Sequence, residues 1–325
     1  MIRTYGITAN GLQRHDGFVT GEHLAQASWI DLFTPSEDEE HHVEGLLGVE
    51  LPTREEMRAL EDSRRLYEEG GALYLTATIM VNSEAEYPRS DDLTFVLTRH
   101  CLATVRYAEP KAIQIFGERA ERHPLLAANG ETALLGILET LLERIALGIE
   151  RVSTDLDQLV HQVLSPERKS PQARRDYGAM LRQLERNQIL ITRARASLSS
   201  LNRLVAFVTR PALEFELSKG FRARATTVLH DILSLTDHTN FLANNISFEL
   251  AAILGMINIE QNGIIKIFSV AAVVFLPPTL VASIYGMNFR AMPELEWAQG
   301  YPWALGLMVA SAVVTHWLFK RRGWL

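Results

Sequence analysis

The chain has 325 residues, of which 47% are hydrophobic and 22% are charged, and its formal net charge is −7. This acidic balance argues against nucleic acid as a partner, because nucleic-acid-binding domains are usually basic. A single cysteine, Cys101, excludes a disulfide framework within one chain and fits a reducing compartment. Charged residues are dense up to about Gln261 but nearly vanish over 264–284 and 301–319, which indicates a soluble part followed by a membrane-inserted tail.

The amino-terminal part, 1–130, mixes strand and helix patterns. Ser36 with Glu39, and Thr53 with Glu56, have the spacing of capping boxes and mark two helix starts. Runs rich in aliphatic, aromatic and threonine residues predict strands over 27–33, 73–81, 93–97 and 102–107, and a further helix is predicted over 111–122. The mixture predicts an α/β or α+β domain in which Cys101 is a buried apolar residue.

Long helical patterns replace this mixture after Gly130. Over 131–210, recurrent Leu and Ile predict two long helices, 132–164 and 175–207, and the Ser-Pro pairs between them mark a turn. Two long helices with a short connection predict an antiparallel helical hairpin.

A third helical pattern begins after Pro211 and runs without a break to Ile284. A helix of this length is roughly 100 Å long at about 1.5 Å per residue, and about a third of that crosses a bilayer core. The part before the membrane has apolar positions at spacings of three, four or seven, as in a bundle: Leu235, Thr239, Leu242, Ile246, Ile253 and Ile257. We therefore predict a cytoplasmic stalk helix over 211–263, followed directly by a membrane span over 264–284.

Two segments, 264–284 and 301–319, each approach the ~20 apolar residues that a membrane-spanning helix needs. The second is followed by Lys320-Arg321-Arg322 in a short tail, 320–325, and such basic clusters stay on the cytoplasmic side. The amino terminus has no apolar run that resembles a signal peptide. We therefore expect both ends of the chain in the cytoplasm, the loop 285–300 on the other side, and membrane lipid around both spans.

The loop after the first span contains two distinctive sequence motifs, Tyr285-Gly286-Met287-Asn288-Phe289 and then Met292-Pro293-Glu294-Leu295. With Pro277-Pro278-Thr279 upstream and the basic carboxyl end, these stretches resemble the CorA family of magnesium channels. The close match covers about 258–325, and the amino-terminal half resembles the family in pattern and in stretches such as Trp29-Ile30-Asp31-Leu32.

This resemblance implies a homopentameric funnel in the bacterial inner membrane. It implies an α+β chain with a cytoplasmic α/β/α domain, long stalk helices and a pore lined by the first span. It also implies transport of Mg²⁺, with Co²⁺ and Ni²⁺ as further substrates, and closure by intracellular Mg²⁺ bound between cytoplasmic domains. A channel rather than an enzyme is expected, and the sequence has no Ser/His/Asp set, zinc-site spacing or phosphate-binding glycine loop.

A pore of this kind needs several copies of the chain, because two helices cannot enclose a water-filled path and a symmetric ring brings the same helix to the axis. Asn288 is the predicted selectivity filter, together with Gly286 and Met287, since Mg²⁺ sheds water reluctantly and a ring of amide oxygens can bind its hydration shell. Gly286 is expected to let the backbone turn where the helix ends. Stepping inward by three or four residues gives the predicted pore stripe: Ser283, Thr279, Leu276, Ala272, Phe268, Ile265 and Asn262. By alignment with the family that the sequence resembles, Leu276, Phe268 and Ile265 are the candidate constriction, since bulky apolar rings can close a pore by excluding water.

Acidic residues supply two further predictions. Glu294 and Glu296, repeated around the outer mouth, would attract cations. Asp231 and Asp237 on the stalk, with Asp91 and Asp92 in the amino-terminal domain, are candidate ligands of regulatory Mg²⁺.

Simpler interpretations of each residue stay open at this point. Asn288 would also serve as a helix cap, single apolar pore positions would also face neighbouring helices, and any one acid would also be a solvated surface charge. Two other functions compete with a Mg²⁺ channel. One is a zinc transporter of the related ZntB branch, and the other is a membrane-anchored signalling or scaffold protein that conducts nothing.

Overall fold

The computed structural model of the protein describes residues 1–8, 11–17, 20–21, 26–58, 65–85, 87–164, 176–288 and 292–322. Contacts divide the chain into two compact units, Met1–Leu250 and Ala251–Leu325. The described residues contain a mixed α and β amino-terminal part, then long helices, as the sequence predicts.

One seven-stranded sheet forms the centre of the first unit, in the order β2-β1-β3-β7-β6-β5-β4. Only β3 and β7 run parallel, and the other neighbouring strands are antiparallel. The strands are β1 (Ile2–Thr8), β2 (Gly11–Asp16), β3 (Ala27–Phe33), β4 (Leu66–Glu69), β5 (Ala72–Val81), β6 (Arg89–Leu97) and β7 (Leu102–Arg106).

Helices cover both faces of this sheet, which gives the α/β/α arrangement. On one face, alternate residues of β3 such as Ile30 and Leu32 share a buried cluster with Val43 and Met57 of the two short helices. On the other face, the Trp29 ring lies against Phe116, with ring centroids 5.4 Å apart. The described helices are α1 (Glu37–Leu47), α2 (Arg54–Met57), α3 (Lys111–Arg122), α4 (Gly130–Leu164), α5 (Tyr177–Val208), α6 (Lys219–Tyr285) and α7 (Gly300–Arg321), with 3₁₀ turns at Pro124–Ala127 and Pro293–Glu296.

Both predicted capping boxes are present at the starts of α1 and α2. The Ser36 hydroxyl accepts a hydrogen bond from the Glu39 amide at 3.3 Å, and the Glu39 carboxylate accepts one from the Ser36 amide at 3.0 Å. Thr53 and Glu56 repeat the same exchange at the next start. Each box pairs amide groups that the first turn of a helix leaves without an internal partner.

The far part of β5 is protected by side chains of α5. β4 pairs with β5 only over Ala72–Leu75, so the amides farther along this edge need other acceptors. The Thr78 amide donates to the Ser200 hydroxyl at 2.9 Å, and the Met80 amide donates to the Ser197 hydroxyl at 3.3 Å. Two serines on one face of α5 thus close the strand edge and fix this helix on the sheet.

A buried ion pair joins the two parallel strands. The Asp31 carboxylate on β3 accepts two hydrogen bonds from the Arg106 guanidinium on β7, at 2.9 and 2.8 Å, and a third from the Thr104 hydroxyl at 2.9 Å. The Trp29 indole N–H donates in turn to Thr104 at 3.0 Å. Asp31 and Arg106 are 0% and 1% exposed, so this network is closed to water.

The third long helix begins later than its pattern predicts, at Lys219 rather than just after Pro211. Before it, the Ser218 hydroxyl and amide both hydrogen-bond the carboxylate of Glu131 near the start of α4. From Lys219 the helix continues without interruption to Tyr285, and Pro277 and Pro278 lie inside it. The Ser-Pro turn predicted between the hairpin helices lies outside the described residues.

Candidate ion pathway

Two helices of the described chain are long and apolar enough to cross a membrane, α6 and α7, and only 6% of the most apolar window of each is buried. Large apolar side chains on α6 are therefore uncovered, for example Phe275 at 69% and Leu280 at 63% exposure. Contiguous apolar surface on this scale marks contact with lipid or with another protein chain.

One face of the membrane part of α6 is partly shielded within the chain. Its half-buried residues recur at helical spacing: Val270, Val273, Val274, Pro277, Pro278, Val281 and Tyr285. The second span has a matching set, Ala304, Met308, Ser311, Ala312, Thr315 and Phe319, also at helical spacing. Each span therefore has one partly covered face and one open face.

The predicted pore stripe lies on the open side of α6. All seven of its members are exposed: Asn262, Ile265, Phe268, Ala272, Leu276, Thr279 and Ser283. At about 3.6 residues per turn, this stripe is on the opposite side of the helix from the half-buried face. All seven side chains are thus largely uncovered within their own chain and available to an axis or to a neighbouring copy.

Thr279 has a specific orientation within this stripe. Its hydroxyl donates a hydrogen bond to the Phe275 carbonyl, four residues earlier, at 2.7 Å. Because the proton is used inside the helix, the hydroxyl oxygen presents acceptor lone pairs outward. The water molecules around a cation point their hydrogens away from the ion, so an outward acceptor suits a hydrated cation.

The carboxyl end of α6 leads into a short turn that contains the predicted filter. The Gly286 amide donates to the Ala282 carbonyl at 2.9 Å, and the Met287 amide donates to the Ile284 carbonyl at 3.3 Å. Asn288 follows, outside the helix and with an exposed side chain. The amide that the sequence places at the pore mouth is therefore accessible.

Gly286 lies in the turn where α6 ends, at the position where the sequence predicts that the backbone turns. The backbone of this glycine is absent from the positive-φ residues of the described chain, so no left-handed conformation is needed at the turn. Instead, a Cβ atom at this position would lie 3.1 Å from the Ala282 carbonyl oxygen. The glycine is thus favoured by close approach of its own helix end, a feature that the sequence motif alone does not reveal.

The structure describes only one of the two acidic side chains that are predicted to attract cations, in the loop between α6 and α7. Glu296 is exposed at the end of the 3₁₀ turn Pro293–Glu296. The side chain of Glu294 and residues 289–291 lie outside the described part. The predicted cation-attracting role of both glutamates stays a prediction.

The four candidate regulatory acids do not form one cluster in a single chain. Asp92 is already engaged, because its carboxylate accepts hydrogen bonds from Arg65 and Thr78, both at 2.7 Å. Asp91 accepts from the Asp92 amide at 2.9 Å. Asp231 and Asp237 are exposed on α6. Across the described ranges of one chain, no group of three or more His, Cys, Asp and Glu side chains is arranged to hold a metal ion.

Asp231 lies instead at a cavity of about 360 Å³ that it shares with Glu139 and Glu143 of α4. Both glutamates have cationic partners: Arg224 is 2.8 Å from Glu139, and Arg119 is 2.6 Å from Glu143. The hydrogen bond from Arg119 holds the pKa of Glu143 below its ordinary value. Sequence reasoning missed these pairs because their members are far apart along the chain.

Comparison with known proteins places this architecture in a family. The profile described as CorA-like Mg²⁺ transporter protein matches residues 25–321. The chain belongs to this family. Among curated CorA relatives, the magnesium transport protein CorA of Yersinia pseudotuberculosis is 35% identical and that of Escherichia coli K12 is 34% identical, in both cases over 100% of both chains. The complete structure of the CorA magnesium transporter from Methanocaldococcus jannaschii has the same fold, with a TM-score of 0.76 and 18% identity over 100% of this chain and 99% of that one.

Proposed function

We propose that this CorA family member forms a homopentameric channel that admits Mg²⁺ through the bacterial inner membrane into the cytoplasm. Full-length similarity to curated magnesium transport proteins supports the ion, and two apolar helices at the carboxyl end support the membrane location. The basic cluster Lys320-Arg321-Arg322 supports an orientation with both chain ends in the cytoplasm.

The observation that carries the proposal is the open stripe on the membrane part of α6. A single-chain anchor would turn only apolar residues to lipid, whereas this stripe has polar side chains at Thr279, at Ser283 and at Asn262 near its inner end. Polar groups exposed to hydrocarbon are costly, so they are expected to face a water-filled path. A ring of identical copies around an axis provides that path.

Asn288 acts as the filter in this proposal. Mg²⁺ keeps much of its hydration shell, since it dehydrates reluctantly. A ring of amide oxygens at the mouth accepts hydrogen bonds from that shell without removing it. The outward hydroxyl oxygens of Thr279 form a second acceptor ring inward of the filter. Co²⁺ and Ni²⁺ are expected to pass as well, because a filter that binds the hydration shell discriminates weakly between similar divalent ions.

The apolar rings supply the gate. Leu276, Phe268 and Ile265 are 65%, 71% and 61% exposed in the single chain, so each is free to point at the axis. Narrow apolar rings exclude water and ions when they close. In the closed state these three rings therefore block conduction, although the polar rings remain in place.

Intracellular Mg²⁺ is the proposed signal for closure. Because one chain lacks a preformed metal cluster among its described residues, a regulatory ion needs carboxylates from more than one subunit. Asp231, Asp237 and Asp91 are the stronger candidates, whereas Asp92 is neutralised by Arg65 at 2.7 Å and would first have to lose that partner. Binding such an ion in only one conformation would shift the population towards it.

Ion flux into liposomes that contain the purified full-length protein tests this function. We expect Mg²⁺ uptake in the wild type and a loss of at least tenfold in Asn288→Ala, with pentamer assembly retained. Gln299→Ala is the matched control, because Gln299 is an exposed amide of the same outer loop whose side chain makes no capping bond, and its flux should be unchanged.

Three outcomes would contradict the proposal in different ways. Undiminished Mg²⁺ flux in Asn288→Ala would refute the filter assignment. Uptake of Zn²⁺ without Mg²⁺ would favour a zinc transporter of the ZntB branch. No flux of any divalent ion by correctly assembled protein would favour the scaffold function.

A further inference from the structure

The open side of α7 changes from apolar to basic along a single row of side chains. Val309, Val313, Trp317 and Arg321 follow one another at intervals of four residues, so they are neighbours along one face of the helix. All four side chains are exposed, and we call them the α7 row. The row lies opposite the partly covered face of α7, and none of the proposed transport steps uses it.

Trp317 fixes the position of the cation at the end of this row. The Arg321 guanidinium carbon lies over the Trp317 ring, 5.2 Å from its centroid, which is the geometry of a cation–π contact. Lys320 is exposed as well and follows Trp317 by three residues, so it lies one turn beyond the ring on the same side. One indole thus has two cations beside it, at the point where the apolar helix ends.

The charge at this end of α7 is positive. In the second unit, Ala251–Leu325, the acidic residues are Glu260, Glu294 and Glu296. The last two precede α7, whose 22 residues span about 33 Å, so they belong to its opposite end. Glu260 lies on α6, and Lys266, six positions farther along, balances its charge. The three cations of 320–322 therefore have no equal number of acids beside them in this unit.

An anionic phospholipid matches the α7 row in both polarity and charge. Its acyl chains are apolar, as Val309 and Val313 are, and tryptophan rings such as Trp317 favour the level between hydrocarbon and headgroups. Its phosphate accepts charge-assisted hydrogen bonds, which guanidinium and ammonium groups supply. A soluble anion would match only the basic end and would leave the two valines uncovered.

We propose that the α7 row binds one anionic phospholipid, such as phosphatidylglycerol, whose phosphate is contacted by Arg321 and Lys320 while Trp317 holds Arg321 in place. The inference rests on the proposed orientation of the channel, which puts this end of α7 at the cytoplasmic surface of the membrane. Each lysine or arginine near an anionic membrane surface strengthens binding by about fivefold. The proposed occupancy is one such lipid for each copy of the chain.

Native mass spectrometry of the full-length protein in detergent tests this proposal. The probes are phosphatidylglycerol and phosphatidylcholine with identical acyl chains, titrated separately, so that they differ only in the headgroup. We expect one tightly bound phosphatidylglycerol for each subunit and weaker binding of phosphatidylcholine. Arg321→Gln and Lys320→Gln should each weaken phosphatidylglycerol binding about fivefold. Trp317→Ala should also weaken it, whereas Trp317→Phe keeps a ring beneath Arg321 and should keep most of the affinity.

Arg322→Gln is the matched control, because it removes the same charge from the same basic cluster at a different side of the helix. Arg322 follows Thr315 and Phe319 by seven and three residues, which places it with the partly covered face of α7. Its affinity for phosphatidylglycerol should change less than twofold. Equal losses in Arg322→Gln and Arg321→Gln would overturn the proposal, because the charge of the cluster alone would then explain the binding.

Two other results would also overturn it. Equal binding of the two lipids would show that the headgroup is not recognised, and displacement of phosphatidylglycerol by glycerol 3-phosphate would assign the basic end to a soluble phosphate. The lipid site and the channel fail separately. A protein that conducts no Mg²⁺ but prefers phosphatidylglycerol keeps the lipid site, and one that conducts Mg²⁺ without this preference loses the lipid site alone.

Discussion

Removing Arg106 should cost far more stability than removing a surface arginine, because its partner Asp31 would remain buried with only the more distant Arg3, 3.9 Å from its carboxylate, as a counter-charge. Both side chains are almost fully excluded from water, at 1% and 0% exposure, and the guanidinium supplies two of the three hydrogen bonds that Asp31 accepts. Breaking such a pair from one side costs roughly 3–5 kcal/mol. For a unit of about 250 residues, each kcal/mol shifts the melting temperature by about 2–4 °C, so Arg106→Met should lower it by roughly 6–20 °C.

Two further variants separate charge burial from simple loss of a side chain. Arg14→Met breaks the Arg14–Asp16 pair, whose side chains are 38% and 48% exposed, and exposed pairs contribute only about 0–1 kcal/mol. The double variant Arg106→Met with Asp31→Leu removes both buried charges, and it should recover at least half of the lost stability because no charge is then left uncompensated.

Thermal unfolding of the full-length protein in detergent, followed by near-ultraviolet circular dichroism, provides the measurement. Trp29 reports directly on the network, since its indole bonds to Thr104 beside Asp31. Equal shifts for Arg106→Met and Arg14→Met would refute the reasoning. A double variant no more stable than Arg106→Met would show that lost packing, rather than an unpaired buried charge, determines the cost.

Three other substitutions test separate parts of the structure. Thr279→Val should reduce Mg²⁺ flux in liposomes about fivefold to tenfold, because losing a hydrogen-bond acceptor costs about 1 kcal/mol or slightly more. Thr279→Ser keeps the acceptor and should keep the flux, and equal flux in the two variants would show that Thr279 is not part of the pathway. Gly286→Ala should reduce Mg²⁺ flux while the protein still assembles, since the added Cβ would lie 3.1 Å from the Ala282 carbonyl oxygen. Gly306→Ala is the control, because its Cβ would meet no atom within 4 Å, and its Mg²⁺ flux should be unchanged. Burial raises the pKa of Cys101 to about 11, so maleimide at pH 7.5 should label this single cysteine only after unfolding, as checked by intact mass; rapid labelling of native protein would contradict its burial.

The sequence predicted elements whose signals are local. The strand over 27–33 and the helix over 111–122 have the bounds expected from their patterns. Both capping boxes formed because Ser36 with Glu39, and Thr53 with Glu56, need only the geometry of one helical turn. Cys101 is buried, as its apolar setting predicted.

Elements that depend on distant partners were missed. β1 and β2 pair with each other over Arg3 to Asp16, but β2 reads Gly-Leu-Gln-Arg-His-Asp, which has little strand propensity of its own. The short strand β4 was also missed, because it depends on its pairing with β5. The parallel contact of β3 with β7 joins residues more than seventy positions apart, as in Trp29 with Leu102, and no local pattern encodes it.

In the candidate pathway, too, the sequence predicted what depends on local spacing and missed what depends on distant contacts. Helical spacing was enough to choose seven residues of α6 that all prove exposed on one side, because a helix has a fixed period. The sequence did not reveal that Arg65 neutralises Asp92, since that pair requires the folded sheet. It also did not reveal that the turn at Gly286 forms without a positive φ, because a motif does not report backbone angles.

The position of the two prolines within α6 has a mechanical consequence. A proline lacks the amide donor and its ring presses on the carbonyl four residues earlier, so a helix yields most easily by opening on the proline side. Pro277 and Pro278 belong to the half-buried face, and the carbonyls they disfavour are those of Val273 and Val274 on the same face. A bend at this point would therefore be concave on the side of Phe268, Leu276 and Thr279. In the proposed channel, a small change in the bend of α6 would narrow or widen the pore without any loop having to move.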